Sequence, residues 1–196
     1  MINNKKAKGL TFLETIATIA IISSVSLFFY IKLNKFEEKR DLEISRRLIK
    51  NTIYKYTLQS VFSKERYKLE IYLIDKKIDI KGENYKIIES IHLPKKLKYE
   101  IIYKYQGGLV FNVETTPNGN LSKAFTIYIC DYNNLVQNRI SFYTFQIEKI
   151  LKINSYINFS AGKIKYIELP YYHYSEDSKN RKGWKIEWKV YFFYVY

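Results

Sequence analysis

An unbroken apolar run near the amino terminus constrains this chain more than any other feature. From Leu10 to Ile31 the sequence has 22 residues, and Glu14 is the one charged residue among them. As an α-helix, which rises about 1.5 Å per residue, this run is roughly 33 Å long and can cross the hydrocarbon core of a bilayer. A carboxylate there is costly unless it is paired or lies near the membrane surface, so Glu14 requires an explanation.

The apolar run has three open interpretations: a cleaved secretory signal, a permanent anchor, or an anchor that later leaves the bilayer. A secretory signal ends in a small-x-small cleavage site followed by a polar mature start. The tripeptide Ser24-Val25-Ser26 has that pattern, but the apolar run continues through residues 27–31. The three lysines within residues 1–9 favour a cytoplasmic amino terminus, although Lys32 and Lys35 weaken that signal.

A short motif marks the start of the run. It joins a basic leader, Gly9, Thr11 two residues later, Glu14 five residues later, and the apolar helix itself. This combination resembles the processing site of type IV prepilins and pseudopilins. In that family a membrane-embedded aspartyl peptidase cuts after the glycine on the cytoplasmic side and methylates the new amino terminus. The resemblance implies cleavage between Gly9 and Leu10, with Leu10 as the N-methylated first residue.

Cleavage at this point explains a carboxylate at position 14. The new ammonium at Leu10 lies four residues before Glu14, so Glu14 can neutralise it in the same chain or in an adjacent subunit. The resemblance implies the second role, in which Glu14, with Thr11 in the same motif, sets the register of each subunit entering a filament. The alternative is that Glu14 only complements the helix dipole, which is worth under about 1 kcal/mol.

Beyond the apolar run the helical pattern continues and becomes amphipathic. Leu42, Ile49, Ile53 and Tyr56 recur at helical spacing, while charged residues occupy the other positions. Many major pilins carry a helix-kinking proline in the apolar segment, whereas here no proline occurs before Pro94. The sequence therefore predicts one helix from about Leu10 to Phe62, apolar all round in its first half.

The rest of the chain has the period of β-strands. Strands are predicted at "YKLEIYLI" and "LKYEIIY", and a three-strand meander is predicted over residues 108–147, with its first turn at Pro117-Asn118-Gly119. Residues 148–154 fit either a short helix or a strand edge. The tail alternates Trp184, Ile186, Trp188 and Val190 inward, against Lys185, Glu187 and Lys189 outward. The predicted fold class is α+β, a long helix packed on an antiparallel sheet, and this pattern resembles GspH-like minor pseudopilins.

These patterns predict three segments. They are a leader peptide at 1–9, a transmembrane and assembly helix at 10–33, and the amphipathic half-helix with a β-rich pilin-like domain at 34–196. The resemblance implies a precursor in the inner membrane, with its amino terminus in the cytoplasm and its domain outside. Implied partners are other pilin subunits, the prepilin peptidase and an inner-membrane assembly platform. The filament is a type IV pilus, a type II secretion pseudopilus or a competence filament.

Residues suited to catalysis or metal binding are scarce. His92 and His173 are the only histidines, Cys130 is the only cysteine, and no nucleophile or phosphate-loop motif is present. His173, with Glu176 and Asp177 nearby, is interpreted as part of a surface loop in preference to a metal or acid–base site. Cys130 follows the alternation of "FTIYIC" and is predicted to be buried. We expect neither an enzyme nor a cofactor.

The net charge of +14 leaves an anionic partner open. Lysine, asparagine, isoleucine and tyrosine are abundant throughout, so biased composition explains the charge equally well. The segment "SEDSKNRKGW" places Lys179, Arg181 and Lys182 beside Trp184, and cations next to an aromatic ring suit phosphate contact with base stacking. The alternative function is therefore a membrane-anchored, pilin-like receptor that binds DNA or a surface.

Overall fold

A computed structural model describes residues 3–104, 109–144, 149–159 and 162–193, with side chains for all of these except 3–11, 149–150 and 188–193. Contacts divide the chain into two compact units, residues 1–40 and 41–196. The described helical elements are α1 (Asn3–Ser63), a 3-10 turn (Tyr166–Glu168), α2 (Leu169–Tyr174) and α3 (Glu176–Lys179). The described strands are β1 (Lys68–Tyr72), β2 (Lys77–Lys81), β3 (Ile87–His92), β4 (Lys98–Ile102), β5 (Val110–Glu114), β6 (Phe125–Cys130), β7 (Val136–Tyr143), β8 (Lys149–Asn158) and β9 (Trp184–Phe193).

Helix α1 is continuous and ends within one residue of its predicted terminus, but it begins seven residues earlier, at Asn3. The Ser63 hydroxyl donates to the Gln59 carbonyl at 3.0 Å, and so satisfies an acceptor of the last turn. Lys64 adopts φ +60°, in the left-handed region, and this turns the chain out of the helix towards β1.

The amino-terminal unit exposes its apolar side chains. Among the described residues, one helix is long and apolar enough to cross a membrane, and none of its most apolar stretch is buried by protein. The large apolar side chains exposed along it are Phe12, Leu13, Ile16, Ile19, Ile21, Ile22, Val25, Leu27, Phe28, Phe29, Tyr30, Ile31, Leu33 and Phe36. A helix that is apolar on every face needs an apolar surrounding, and this unit supplies none of its own.

The carboxy-terminal unit buries the predicted stripe of α1. Ile49, Ile53 and Tyr56 are at most 2% exposed, and Leu42 is half-buried against the same core. Burying a large apolar side chain contributes about 1.5–3 kcal/mol, so these residues hold the second half of the helix firmly in the domain. The amphipathic interpretation of residues 42–56 is confirmed.

Two antiparallel sheets complete this unit. Their strand orders are β3-β2-β1-β5 and β4-β6-β7-β8-β9. Residues of both sheets and the buried face of α1 contribute to one core cluster. In it the Phe125 ring is stacked on Phe142 and tilted against Phe111, and the ring centroids of each pair are 4.7 Å apart. A long helix followed by an antiparallel domain confirms the predicted fold class. Residues 149–154 belong to strand β8, which resolves the alternatives left open for that stretch.

The predicted meander is wrong in its first pairing. Strand β5 pairs with β1, whereas β6 pairs with β4 and β7 in the other sheet. The turn at Pro117-Asn118-Gly119 is present, but a single bridge between Thr115 and Leu121 closes it before the strands diverge. The turn residues specify a reversal of the chain, and the register of β1 with β5 decides which sheet receives the strand.

The predicted alternation of the last strand is wrong at Ile186, whereas Lys185 and Glu187 are exposed as predicted. Trp184 is buried, but Ile186 is 40% exposed and the Glu187 carboxylate contacts buried residues of α1. Along β8 and β9 the pairing shifts between Ser155 and Tyr156, which places an extra residue in β9. The extra residue is Glu187, so the bulge comes after Trp184 and Ile186 and does not explain the exposure of Ile186. The predicted inward positions of Trp188 and Val190 lie outside the described side chains.

Candidate assembly helix and candidate anion-binding loop

Glu14 lies on the exposed helix of the amino-terminal unit. The neighbouring Phe12 and Leu13 side chains are each 69% exposed, so the Glu14 carboxylate projects from an apolar surface. The described residues form no salt bridge with Glu14. The side chains of Leu10 and Thr11 lie outside the described ones, so the roles of Gly9, Leu10 and Thr11 in processing and assembly remain predictions.

Two hydroxyl groups of this segment are satisfied inside the helix. Thr18 donates to the Glu14 carbonyl at 2.8 Å, and Ser24 donates to the Ala20 carbonyl at 2.8 Å. Such bonds to the carbonyl four residues earlier allow polar side chains to remain in an apolar surrounding at little cost. A carboxylate has no donor to offer a backbone carbonyl, so Glu14 differs from these residues in needing a cation or a donor from elsewhere.

The basic segment, residues 175–184, consists of a short helix and a turn, and it is anchored to the domain. It contains α3, whose amino terminus is capped where the Ser175 hydroxyl accepts from the Ser178 amide at 3.3 Å. Arg139 is 8% exposed and donates from Nη1 to the Ser178 carbonyl at 3.0 Å. Lys179 and Lys182 are exposed, as predicted for anion contact.

Arg181 has a different position from the two lysines. It is half-buried, and its guanidinium lies 5.3 Å from the centroid of the Tyr156 ring, which is itself fully buried. Its backbone has φ +55°, so the residue also forms the turn that leads into β9. Arg181 therefore covers a core aromatic ring with its cation, and this packing reduces what it can present to an external anion.

Trp184 packs in the domain and does not form the predicted stacking surface. It is 8% exposed, and its Nε1 donates to the Tyr172 hydroxyl at 2.6 Å. The exposed aromatic side chain beside the basic turn is Phe159, which is 81% exposed and whose amide donates to the Gly183 carbonyl at 2.9 Å. Sequence reasoning missed Phe159 because 24 residues separate it from Gly183, and only the pairing of β8 with β9 joins them.

His173 lies in α2, half-buried, and not in a surface loop. Its Nδ1 is 2.9 Å from the Tyr128 hydroxyl, and burial, with a smaller contribution from the Arg139 charge, lowers the pKa of His173 to about 4. Among the described residues no group of three or more histidine, cysteine or acidic side chains is arranged to hold a metal. Cys130 is fully buried as predicted, and burial raises the pKa of its thiol to about 12.

The low pKa of His173 predicts an acid-sensitive domain. An unfolded histidine has a pKa near 6.5, so the folded state binds fewer protons between pH 6.5 and 4. Stability is then full above pH 6.5 and falls as the pH drops towards 4, by on the order of 2 kcal/mol from this residue. Replacing His173 by Asn, which keeps a polar atom near Nδ1, should remove that part of the pH dependence. Urea denaturation from pH 7 to pH 4 measures it, and equal slopes for the two proteins would contradict the prediction.

A buried charge network links α1 to β9. Arg46 Nη2 lies 2.7 Å from one Glu187 oxygen and Lys50 Nζ lies 3.4 Å from the other, while the Ser155 hydroxyl donates to Glu187 at 3.2 Å. Arg46 and Lys50 are 8% and 7% exposed, and burial lowers the pKa of Lys50 despite the carboxylate. No sequence pattern indicates this network, because Lys50 and Glu187 are 137 residues apart and Glu187 is the extra residue of a bulge.

Among known proteins, only solved structures match this chain. No protein-family model matches the chain, and no curated protein matches it significantly. One structure of the minor pseudopilin EpsH from the type 2 secretion system of Vibrio cholerae matches with a TM-score of 0.44 and 11% identity, over 52% of this chain and 88% of that chain. A second crystal structure of EpsH matches with a TM-score of 0.42 and 12% identity, over 53% of this chain and 90% of that chain.

Proposed function

We propose that this protein is a minor pilin or pseudopilin, a structural subunit made as a membrane precursor and assembled into a filament through its apolar helix. The observation that carries this proposal is a single one. Glu14, unpaired among the described residues, projects from the first half of α1, where the described apolar side chains are exposed, within the motif that resembles a prepilin processing site. In a lone signal sequence or anchor, a carboxylate at that position contributes only the helix-dipole effect of under about 1 kcal/mol.

The proposal starts with insertion into the bilayer. The lysines of the leader keep the amino terminus in the cytoplasm, and the apolar half of α1 spans the membrane. Cleavage after Gly9 then leaves an ammonium at Leu10. In a filament, Glu14 of one subunit pairs with that ammonium of another, so that neither charge stays unpaired in an apolar surrounding.

The carboxy-terminal unit supports a separate role for the apolar half of α1. Its core is filled by both sheets and by the stripe around Ile53, so it does not need the apolar half of the helix for its own packing. The exposed first half is therefore available to lipid before assembly and to neighbouring helices afterwards. The partners of this proposal are other pilin subunits, the prepilin peptidase and the inner-membrane assembly platform.

The proposal predicts the amino terminus of the native protein. Mass spectrometry of the protein from its own cells should find a chain that begins at Leu10 and carries one added methyl group. A Gly9→Val variant should keep Met1, because a branched side chain replaces the glycine at the cut, whereas an Ala7→Val control should be processed normally. A native chain that retains Met1, or that begins near Ser26 or Leu27, would refute the proposal.

The DNA-binding alternative has weaker support from the domain. Lys179 and Lys182 are exposed, but Arg181 packs on Tyr156 and Trp184 is buried. The two functions separate experimentally. A filament subunit copurifies with sheared filaments, whereas a tethered receptor stays with the membrane. A DNA-binding receptor should also retard DNA in a gel, and charge-neutral replacement of Lys179, Arg181 and Lys182 should weaken that retardation.

A further inference from the structure

A cleft opens beside the free edge of β4 in the carboxy-terminal unit. Its volume is about 450 Å³, within the range of binding sites for ligands of modest size. Its lining residues come from the ends of β1 and β5, from β4, and from the 3-10 turn, and they are Leu73, Ile74, Lys76, Lys98, Tyr99, Glu100, Leu109 and Tyr166. None of these residues belongs to the apolar half of α1 or to the basic segment.

The backbone edge of β4 is open in this cleft. Strand β4 ends the order of its sheet and pairs with β6 on one side, and no described strand pairs with its other side. Tyr99 points towards α1, where its hydroxyl is 2.7 Å from Ser45, whereas Glu100 points to the opposite face and accepts from Tyr166 at 2.6 Å. Since side chains from both faces line the cleft, the cleft follows the strand edge, where unpaired backbone groups can accept another strand.

One wall of the cleft is apolar and exposed. Ile74 is 65% exposed and Leu109 is 64% exposed, and the Leu73 amide donates to the Leu109 carbonyl at 2.9 Å, which fixes the two segments side by side. The side chains of Ile74 and Leu109 contribute to no core cluster, so they remain in contact with water. Covering them would release that apolar surface from water.

The other wall carries positive charge. Lys76 donates to the Lys95 carbonyl, and the Lys98 ammonium lies 5.2 Å from the centroid of the Tyr166 ring. Among the described residues no carboxylate forms a salt bridge with Lys76 or Lys98, and the Glu100 carboxylate, which also lines the cleft, accepts from Tyr166. Burial, with the neighbouring Lys98 charge, lowers the pKa of Lys76, so an incoming negative charge would relieve repulsion here.

We propose that this cleft binds an extended segment of a partner protein that carries both acidic and apolar side chains. The segment adds to the free edge of β4 as a further strand. Its backbone pairs with β4, its apolar side chains cover Ile74 and Leu109, and a carboxylate lies between Lys76 and Lys98. The charge of the lysine wall selects an acidic segment over a basic one, and the open strand edge selects an extended segment over a helix. Such a segment binds whether or not the chain enters a filament, so this proposal and the filament assignment fail independently.

The test measures binding of fluorescently labelled peptides to the cleft, with the full chain held in detergent micelles. The probe is GVEVEVTG, and its control, GVKVKVTG, replaces both glutamates by lysine. We expect fluorescence anisotropy to show binding of the acidic peptide and, for the lysine peptide, affinity at least about tenfold weaker. The double variant Lys76→Glu/Lys98→Glu should reverse that preference. A matched variant with the same charge change elsewhere, Lys86→Glu/Lys163→Glu, should keep it, because both lysines are exposed and lie outside the cleft.

Backbone methylation tests strand addition separately from charge. Two series of the acidic peptide carry N-methyl groups on alternate residues, one series on each edge of the extended peptide. The series methylated on the edge that faces β4 should lose binding, while the other binds like the unmodified peptide. Circular dichroism confirms that the protein variants are folded. The proposal is overturned if the acidic peptide does not bind, if charge reversal in folded protein has no effect, or if both methylated series behave alike.

Discussion

Moving the Glu14 carboxylate by one residue should abolish incorporation into filaments while leaving membrane insertion intact. The two variants are Leu13→Glu/Glu14→Leu and Glu14→Thr/Thr15→Glu, which keep the composition of the helix. One position along an α-helix rotates a side chain by about 100° around the axis and moves it by about 1.5 Å. A carboxylate displaced in this way points away from the ammonium that it must reach, so both charges stay unpaired in an apolar surrounding.

The readout is the amount of protein in the sheared-filament fraction, relative to the amount in the membrane fraction. We expect the displaced variants to be absent from the filaments and present at normal amounts in the membrane. The control swap Ser24→Val/Val25→Ser moves a polar side chain by one position in the same helix and should assemble normally. If a displaced carboxylate also assembles normally, Glu14 contributes no more than a helix-dipole effect, and the proposed register role is wrong.

Removing the Glu187 carboxylate should destabilise the carboxy-terminal unit by about 2–3 kcal/mol, more than is usual for one surface-strand substitution. The Glu187→Ala change leaves Arg46 and Lys50 buried without their shared carboxylate. Breaking a fully buried ion pair costs about 3–5 kcal/mol, and the Glu187 side chain is 31% exposed, which lowers the expected cost. Urea denaturation followed by circular dichroism measures the difference.

The chain provides a matched control for this prediction. Glu43 pairs with Arg47 one turn further along α1, but both side chains are exposed, at 46% and 69%. Glu43→Ala should therefore change the unfolding free energy by less than about 0.5 kcal/mol. A triple change of Arg46 and Lys50 to Met with Glu187 to Leu should recover much of the loss, because it removes all three charges together. Equal effects of the two alanine variants would contradict the assigned importance of the network.

The long helix could be predicted from sequence because its signals are local. Apolar residues recur at helical spacing through Ile49 and Ile53, no proline interrupts the segment, and the change from an all-apolar to an amphipathic pattern occurs within one element. Burial of Cys130 follows from strand alternation in the same way. Periodicity states which face of an element is buried, and it does so reliably where the element is regular.

The errors lie where non-local pairing overrides a local pattern. The turn around Gly119 has the sequence of a hairpin, yet β5 joins β1 because long-range register decides between the sheets. Ile186 is exposed although Trp184, on the same face of β9, is buried, and Glu187, the extra residue of the bulge, contacts Arg46 and Lys50 of α1. Trp184 follows a run of basic residues in the sequence, but its side chain is buried and its Nε1 donates to the Tyr172 hydroxyl. Single-sequence patterns do not encode which strand will be the neighbour.

The tie between α1 and β9 also determines when the domain can become stable. Lys50 and Glu187 are separated by 137 residues, so almost the whole domain must emerge before the carboxylate reaches its two cations. A chain synthesised from its amino terminus passes through a stage in which Arg46 and Lys50 are present but their counter-charge is not. Contacts this distant in sequence form late and slowly. A chain that ends before the last strand lacks the carboxylate altogether, and we expect its domain to be less stable for that reason.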